Sequence, residues 1–420
     1  MDSTQTLIIG AGISGLAAAA ALGSHPYLIL EADDQIGGYC KTVKKDGFVW
    51  DYSGHFFHFK QPEIEAWLRA RMPDQKVLTV EKKSFISYGG RLIDFPFQKN
   101  IHQLPQQEFI DCLYDLYFAS VDRDVAPINE SFHEMLRKRL GGAICDKFLV
   151  PYNEKVYACD LSTLDKDAMG RFFPHVDVAD VIRNMKVPTN ASYNSTFTYP
   201  EGGAIEYVKA IASDVRSDAI CLNERVIAID LERKVARTTK REIAFERIIS
   251  SMPFNHLVAA AALPHDASVF SANKVVVFNF GFDKKGRSDA HWIYYPSRET
   301  VFYRIGYYDN IFATDRLSIY VEVGYPRNAT PDLSELRARV LSDLHREGVI
   351  SDHKLVAEHA VVLDPAYVHI SRTSTREHAK LSAILKQRDV HSIGRYGGWT
   401  YCSIEDNIVE ARALVAGWLA

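Results

Sequence analysis

The sequence contains little cysteine, with six residues in a chain of 420. They stand at positions 40, 112, 145, 159, 221 and 402, and no two of them have the CxxC spacing of a zinc or redox site. This scatter argues against a disulfide-stapled scaffold, and we expect no metal site. Unpaired, reduced thiols are typical of a cytoplasmic protein, so a cytoplasmic location is our expectation.

Long apolar runs and a strong net charge are also missing. No run reaches the length of about 20 residues that a membrane helix needs, and the apolar start lacks the basic residues that open a signal peptide. The formal net charge is −4, which leaves the binding of any anionic substrate to a few local arginines. We therefore expect neither a membrane nor a nucleic acid as a partner.

What the sequence does contain, near its start, is a glycine fingerprint. Gly10, Gly12 and Gly15 in "TLIIGAGISGLAAAAAL" follow a β-branched apolar run and open an alanine-rich helix. Such glycines allow a tight turn, close approach of the backbone to a pyrophosphate, and close packing of helix on strand. Glu31 ends the next apolar run about twenty residues later, where a carboxylate accepts ribose hydroxyls. The pattern predicts a dinucleotide-binding Rossmann fold.

A second pair of glycines indicates which dinucleotide is bound. Gly37 and Gly38 in "LEADDQIGGYCKT" resemble the extension after the ribose-binding acid in the FAD enzymes that include amine oxidases and pyranose mutases. The resemblance implies FAD, and not a nicotinamide dinucleotide, as the resident cofactor.

Periodic patterns divide the chain into three parts. Residues 61–199 are largely helical with one hairpin, "KSFISYGGRLIDFPF", and alternating strands dominate residues 266–389. Residues 1–60, 200–265 and 390–420 are assigned to a discontinuous FAD-binding domain, with "AICLNERVIAIDLE" as one strand and "EDNIVEARALVAGWL" as the closing helix. The predicted fold class is α/β: a Rossmann-type FAD-binding domain with a helical insertion and an antiparallel β-sheet substrate domain.

Four further stretches resemble the UDP-galactopyranose mutase family, particularly its eukaryotic branch. They are "LIDFPFQKNIHQLP", "FLVPYNEKVYA", "YYPSRETVFYR" and "IGRYGGWTY" followed by "EDN". The matches are spread over nearly the whole chain. They are more specific than the Rossmann portion, which fits any flavin amine oxidase.

The resemblance implies roles for individual residues. The implied catalytic residues are Arg171 and Arg304, which would bind the substrate diphosphate, and His55, which would lie by the flavin. The implied substrate-binding residues are Asn153, Tyr157, Tyr294, Tyr367 and Tyr401. The implied cofactor-binding residues are Gly10, Gly12, Ser14, Gly15, Glu31, Ala32, Gly38, Val226, Gly394, Arg395, Asp406, Asn407 and Ile408. Tyr157 stands where the family has tryptophan, so the nucleobase stays open.

Each role has a structural alternative. An arginine in a strand is often a solvated edge charge, which would apply to Arg304, and His55 could be an ordinary buried histidine. Asp406 and Asn407 could form a simple helix cap. Residue types alone do not decide between these readings.

The chemistry that the resemblance implies is the interconversion of the pyranose and furanose forms of a nucleotide sugar, with UDP-galactose as the expected substrate. FAD would be active when reduced, because the electron pair on its N5 attacks the anomeric carbon and expels the nucleoside diphosphate. Two alternatives stay open: an FAD-dependent oxidoreductase of the amine oxidase or desaturase type, and a flavoprotein without activity. Two further possibilities stay open, that a nicotinamide dinucleotide reduces the flavin and that the chain forms a homo-oligomer.

Overall fold

The computed structural model of the protein describes residues 1–122, 131–174, 176–188 and 195–419, and of residue 171 it describes the backbone alone. The described strands are β1 Asp2–Ile9, β2 Tyr27–Leu30, β3 Thr42–Lys45, β4 Phe48–Asp51, β5 Val77–Glu81, β6 Ser84–Tyr88, β7 Arg91–Asp94, β8 Thr196–Pro200, β9 Ile220–Cys221, β10 Val226–Asp230, β11 Val235–Thr238, β12 Glu242–Ser250, β13 Lys274–Phe282, β14 Trp292–Tyr294, β15 Arg304–Tyr307, β16 Ser318–Tyr325, β17 Leu355–Leu363 and β18 Val390–Ser392. The described α-helices are α1 Ile13–Leu22, α2 Pro62–Arg69, α3 Gln106–Asp122, α4 Phe132–Ile144, α5 Val150–Tyr157, α6 Val178–Lys186, α7 Ile205–Ala212, α8 Phe254–Ala260, α9 Leu333–Arg346, α10 Arg372–Lys386, α11 Gly394–Gly397 and α12 Ile404–Leu419.

The first sheet carries the predicted nucleotide-binding strands. Its order is β10-β11-β12-β1-β2-β9, and β18 pairs with the carboxyl end of β12. The strands β12, β1, β2 and β9 run parallel, while β10, β11 and β12 form an antiparallel meander. The predicted return of "FERIISSMP" to this sheet is confirmed, because β12 lies beside β1.

The prediction of "AICLNERVIAIDLE" as one strand is wrong. The segment forms β9 and β10, which lie at opposite edges of the first sheet. Asn223 between them has φ +54°, a left-handed conformation that interrupts an extended strand. The N–H groups of Asn223 and Glu224 donate to the carbonyls of Asp33 and Glu31. The turn therefore folds back onto the end of β2.

The second sheet has the order β17-β13-β16-β15-β14-β6-β7. Its strands are antiparallel except for β6 and β14, which are parallel. The strands expected between residues 274 and 324 are confirmed as β13 to β16. The hairpin β6–β7, which was expected to interrupt the helical segment, forms the edge of this sheet.

The packing of β13 explains why its sequence, "KVVVFNFGF", lacks the alternation of apolar and polar residues that an exposed strand has. Both of its faces are covered. Val276 and Phe280 belong to a buried cluster with Val340 of α9, while Val275 and Val277 belong to a cluster with the helical segment. Burying one such side chain contributes about 1.5 to 3 kcal/mol. The sheet is therefore a rigid wall for the site.

The helical segment lies against this wall. Helices α3, α4 and α5 share a core that includes Leu116, Leu136 and Val156. The approach of α5 to β16 is so close that a Cβ on Gly324 would lie 1.9 Å from the carbonyl oxygen of Lys155. None of the described helices is both long and apolar enough to cross a membrane.

Candidate active site

A cavity of about 540 Å³ runs from the turn after β1 to the face of the second sheet. Gly12 and Glu31 line one end, and His55, Arg304 and Tyr401 line the other. Ten of the predicted cofactor residues line it: Gly10, Gly12, Ser14, Glu31, Ala32, Gly38, Val226, Gly394, Arg395 and Asn407. The structure thus brings most of the predicted cofactor residues to the same cavity as the predicted substrate residues.

The glycine turn has the geometry that its sequence predicts. Gly10 has φ +97°, which favours glycine. A Cβ on Gly15 would lie 1.9 Å from the carbonyl oxygen of Gly10, so only glycine allows α1 to approach the turn. Helix α1 begins after Gly12 with no side-chain cap and no acidic residue in its first turn. Its free N–H groups and dipole therefore favour an anion at this end of the cavity.

The predicted ribose-binding acid is held in place by the backbone. The Oε2 atom of Glu31 accepts from the N–H of Ala11 at 2.7 Å, and Oε1 accepts from the N–H of Asp33 at 3.0 Å. The side chain is 8% exposed. A carboxylate fixed at the carboxyl end of β2 can accept hydrogen bonds from the hydroxyls of a ribose.

The closing segment meets the glycine turn. Gly394 has φ +81°, and a Cβ there would lie 2.4 Å from the Oγ of Ser14. The Oδ1 atom of Asn407 accepts from the Oγ of Ser14 at 3.2 Å and from the N–H of Arg395 at 2.9 Å. The N-termini of α1, α11 and α12 are therefore tied together at the cavity.

Three predicted cofactor residues lie outside the cavity lining. Gly15 and Ile408 are buried in α1 and α12. The Oδ2 atom of Asp406 accepts from the N–H and Oγ of Ser403, and the N–H of Asp406 donates to the Oγ of Ser403 at 3.2 Å. These hydrogen bonds cap the N-terminus of α12, which is the role that the structure gives to Asp406.

Arg304 is not a solvated edge charge. Its Nε donates to Oε2 of Glu322 at 2.6 Å and its Nη2 donates to Oε1 at 2.8 Å. The Glu322 side chain is 1% exposed and the Arg304 side chain is 20% exposed. The Oγ of Ser53 also donates to Glu322. The pair forms the floor of the cavity and is electrically neutral as a unit.

A wall of phenols faces this floor. Tyr294, Tyr367 and Tyr401 all line the cavity, and the rings of Tyr367 and Tyr401 are stacked with centroids 6.1 Å apart. Burial raises the pKa of Tyr294 to about 12, so its hydroxyl keeps its proton at neutral pH. Neutral hydroxyls can hold phosphate oxygens or a sugar without adding charge.

His55 lies in the loop after β4 and lines the same end of the cavity. Its Nδ1 is buried and has no hydrogen-bond partner among the described residues. Burial, followed by the charge of Arg395, lowers the pKa of His55 to about 4 from its ordinary 6.5. The ring is therefore neutral at pH 7, with a nitrogen free for a cofactor.

This shift predicts a pH dependence of stability. Between pH 6.5 and 4 the unfolded chain binds a proton at His55 that the folded chain excludes, so the free energy of unfolding falls as the pH drops through this range. At about 1.36 kcal/mol per pKa unit the full loss would be about 3 kcal/mol, and ~2 kcal/mol is expected because the ring borders the open cleft. Urea titrations of the holoprotein at several pH values measure it.

The variant His55→Gln should lose that part of the pH dependence. Replacement of His345, an exposed residue of α9, by glutamine is the matched control for the loss of one histidine. A pH profile of His55→Gln that coincides with the profile of the original protein would rule out a buried neutral imidazole.

Two predicted substrate residues, Asn153 and Tyr157, lie outside the cavity lining, and the predicted catalytic residue Arg171 is not tested. The Nδ2 of Asn153 donates to the carbonyl of Leu149 at 2.7 Å, within its own helical segment. Tyr157 is 2% exposed and packs edge-on against Tyr367. The side chain of Arg171 lies outside the described part, although Phe172 beside it lines the cavity. The predicted nucleobase and second arginine contacts stay predictions.

Many of the residues that line the cavity were given no role from the sequence, among them Ser53, Trp292, Tyr303 and Glu322. Glu322 had a signal, because it is the only charged residue in the buried strand "SIYVEVGY", and a lone carboxylate in such a strand needs a partner. The others had no comparable signal. Among the described residues, no cluster of three or more His, Cys, Asp or Glu side chains could hold a metal ion.

These features fit FAD. Backbone of Gly12 and Gly38 forms a cradle, in which a Cβ on Gly12 would lie 3.8 Å from the Cα of Gly38. The uncapped N-terminus of α1 suits the pyrophosphate and Glu31 suits the ribose. The unpaired Nδ1 of His55 at the far end offers a hydrogen bond to the ring system.

Comparisons with known proteins agree with this cofactor. The sequence pattern of the family described as flavin containing amine oxidoreductase matches residues 13–388. A chloroplastic protoporphyrinogen oxidase of Nicotiana tabacum is 29% identical over 176 residues, which are 39% of this chain and 31% of that protein. The 4,4'-diapophytoene desaturase of Staphylococcus aureus (strain Newman) is 34% identical over 122 residues, 29% of this chain and 19% of that protein. The match spans less than a third of the length of either relative.

A solved structure matches over nearly the whole chain. The crystal structure of reduced UDP-galactopyranose mutase superposes with a TM-score of 0.91 at 23% identity, and the match covers 99% of this chain and 95% of that one. At this identity the likeness shows a shared fold. The predicted fold class is confirmed.

Proposed function

We propose that this protein is an FAD-dependent mutase that interconverts the pyranose and furanose forms of a nucleotide sugar. The chain belongs to the flavin containing amine oxidoreductase family. Family membership confirms FAD as the cofactor and identifies the protein as a flavoenzyme. UDP-galactose is the first substrate to test. One observation carries the mutase proposal: guanidinium and phenol groups converge at the His55 end of the cavity.

The chemistry of these groups suits a departing diphosphate. Tyr294, Tyr367 and Tyr401 offer neutral donors, and Arg395 offers a charged one. Donors placed where negative charge develops on a leaving group stabilise the transition state. When bound and reduced, FAD supplies the nucleophile, an electron pair at N5. The protein then has to bind the diphosphate, orient the sugar and exclude water.

A second candidate is an FAD-dependent oxidoreductase, which the names of the curated relatives favour. An amine substrate would bring a positive charge next to Arg395, and a hydrocarbon substrate would leave the arginine and the tyrosine hydroxyls without partners. Both are poorer matches to this end of the cavity than a diphosphate is. The cavity chemistry therefore supports the mutase.

Product analysis tests the proposal. Holoprotein reduced with dithionite, or with a nicotinamide reductant, is incubated with UDP-galactose, and the nucleotides are separated by chromatography with mass detection. We expect a second peak of the same mass, which is absent when the protein stays oxidised. The absence of an isomer with any of a panel of nucleotide sugars would contradict the proposal and leave the oxidoreductase or an inactive flavoprotein.

A further inference from the structure

Two helices that lie side by side, α3 and α6, expose more than half of the large apolar side chains that the described chain leaves in water. Eight of these side chains belong to the two helices or to the residue after α6. They form what is here named the α3/α6 patch: Ile110, Tyr114, Tyr117, Phe118, Val121, Ile182, Met185 and Val187. None of the eight lines the cavity, so the patch is separate from the candidate active site.

The exposed residues of α3 follow a regular spacing. Positions 110, 114, 117 and 121 are separated by four, three and four residues, which is the spacing with which one helix packs on another. The opposite face of α3, with Cys112 and Leu116, is already buried in the core. Helix α3 therefore has a second apolar face, which a single chain leaves exposed.

Three aromatic rings of the patch pack on one another. The ring centroid of Phe118 lies 4.5 Å from that of Tyr114 and 5.2 Å from that of Tyr117, and the three residues are 44 to 62% exposed. Since an aromatic residue can bury about 200 Å², these three leave about 300 Å² exposed. With the other five residues the patch is of the order of 700 Å², close to the ~800 Å² that each partner buries in a stable interface.

Charged residues run beside both apolar stripes, and their signs are opposite. Asp111 and Asp122 are exposed on α3 and share one side of the helix with Phe118, because they are seven residues before it and four after it. Arg183 and Lys186 are exposed on α6 and lie next to Ile182. The patch therefore has an acidic edge on α3 and a basic edge on α6.

We infer that the α3/α6 patch is the interface of a homodimer in which α3 of each copy packs on α6 of the other around a twofold axis. This arrangement brings the acidic edge of one copy to the basic edge of the second copy, and the symmetry makes the contact twice. Pairing α3 with α3 would instead place two acidic helices together. Association removes both apolar stripes from water, which is its driving force.

A membrane surface is a poorer partner for this patch. Helices that lie in a membrane interface carry Lys and Arg on their polar face, and anionic lipids make the surface negative. Helix α3 contains four acidic residues and no Lys or Arg. The partner of α3 must therefore offer basic groups beside an apolar surface, and α6 of a second copy offers both.

The mass of the holoprotein in solution tests the inference. Sedimentation equilibrium over a range of concentrations should give twice the mass of the chain. Tyr117→Asp and Ile182→Asp each place a charge in the patch and should raise the Kd of the dimer at least about a hundredfold, with FAD content unchanged. Ile384→Asp is the matched control, because Ile384 is exposed on α10, outside the patch. It should leave the dimer intact.

Reversal of charge tests which helices pair. The double variant Asp111→Lys/Asp122→Lys should raise the Kd of the dimer at least about tenfold, because like charges then meet across the interface. Addition of Arg183→Glu and Lys186→Glu exchanges the two signs and should restore the dimer. FAD content and circular dichroism report the fold of each variant. If the fourfold variant does not fold, Tyr117→Asp and Ile182→Asp still decide the question.

The contrary outcomes are distinct. A monomer at every concentration would overturn the inference, and so would a dimer that persists in Tyr117→Asp and Ile182→Asp. A folded fourfold variant that stays monomeric would overturn the pairing of α3 with α6. Flotation of a monomer with vesicles of phosphatidylcholine and phosphatidylglycerol would identify a membrane surface instead. A dimer that makes no sugar isomer would support the inference while the proposed function fails.

Discussion

Replacement of Gly15 by alanine is expected to give a protein that is purified without FAD. The new Cβ would lie 1.9 Å from the carbonyl oxygen of Gly10, and a backbone atom cannot move aside as a flexible side chain can. Helix α1 would be displaced from the turn, and its N-terminus would no longer meet the pyrophosphate. Overpacking of this kind costs about 1 to 3 kcal/mol, less than the stability of a typical domain, so the fold should persist.

The measurement is the ratio of FAD to protein after purification, followed by FAD titration of the apoprotein. We expect affinity at least about a hundredfold weaker, equivalent to about 3 kcal/mol. Gly417→Ala is the matched control, because a Cβ on this residue of α12 meets nothing within 4 Å. It should retain full FAD. A Gly15→Ala protein with full FAD would contradict the assignment of the turn.

Arg304→Met is expected to weaken nucleotide binding about thirtyfold to a thousandfold, or ~2 to 4 kcal/mol, with FAD retained. The reason is Glu322, which is 1% exposed and would be left as an unpaired negative charge in the floor of the cavity. An unpaired buried charge is strongly destabilising, whereas replacement of both partners by apolar residues is often neutral. Calorimetric titration with UDP measures the effect.

The double variant Arg304→Met/Glu322→Met distinguishes two causes of that loss. Recovery of UDP affinity would show that Arg304 acts by neutralising Glu322. A double variant as weak as Arg304→Met would show that Arg304 contacts the diphosphate directly, as the sequence resemblance implied, and would contradict a neutral role for the pair.

The glycine turn was predictable because its signals are local. Gly10, Gly12 and Gly15 report conformation and close packing within one turn of chain, and the structure has these features. The strands from β13 to β16 were predictable for the same reason, since their apolar composition reflects burial. The break at Asn223 was missed because asparagine tolerates both extended and left-handed backbone.

The pairing of Arg304 with Glu322 depends on strand register. The two residues are directly opposite in β15 and β16, where side chains are about 5 Å apart. The connection between these strands, residues 308–317, is too long for a turn type to fix the register. The sequence analysis therefore assigned a role to Arg304 but missed Glu322 and the contact between them.

The two helical residues of the expected nucleobase site, Asn153 and Tyr157, show that residue type alone does not predict whether a side chain binds a ligand or packs in the protein. Asn153 can bond to a ligand or to the carbonyl four residues earlier, and the structure has the second. Tyr157 is as suited to a core as to a base pocket, and it is buried. Residue type does not decide such cases, because both environments satisfy the same groups.

The most direct test of the central claim follows the electrons. Under anaerobic conditions UDP-galactose is added to oxidised holoprotein while the visible flavin absorbance is recorded, and dithionite is then added. The mutase predicts no change in absorbance and no product at first, then a furanose isomer that accumulates while the flavin stays reduced. Bleaching of the oxidised flavin by the substrate, with hydrogen peroxide formed on admission of air, would contradict the mutase and show an oxidase.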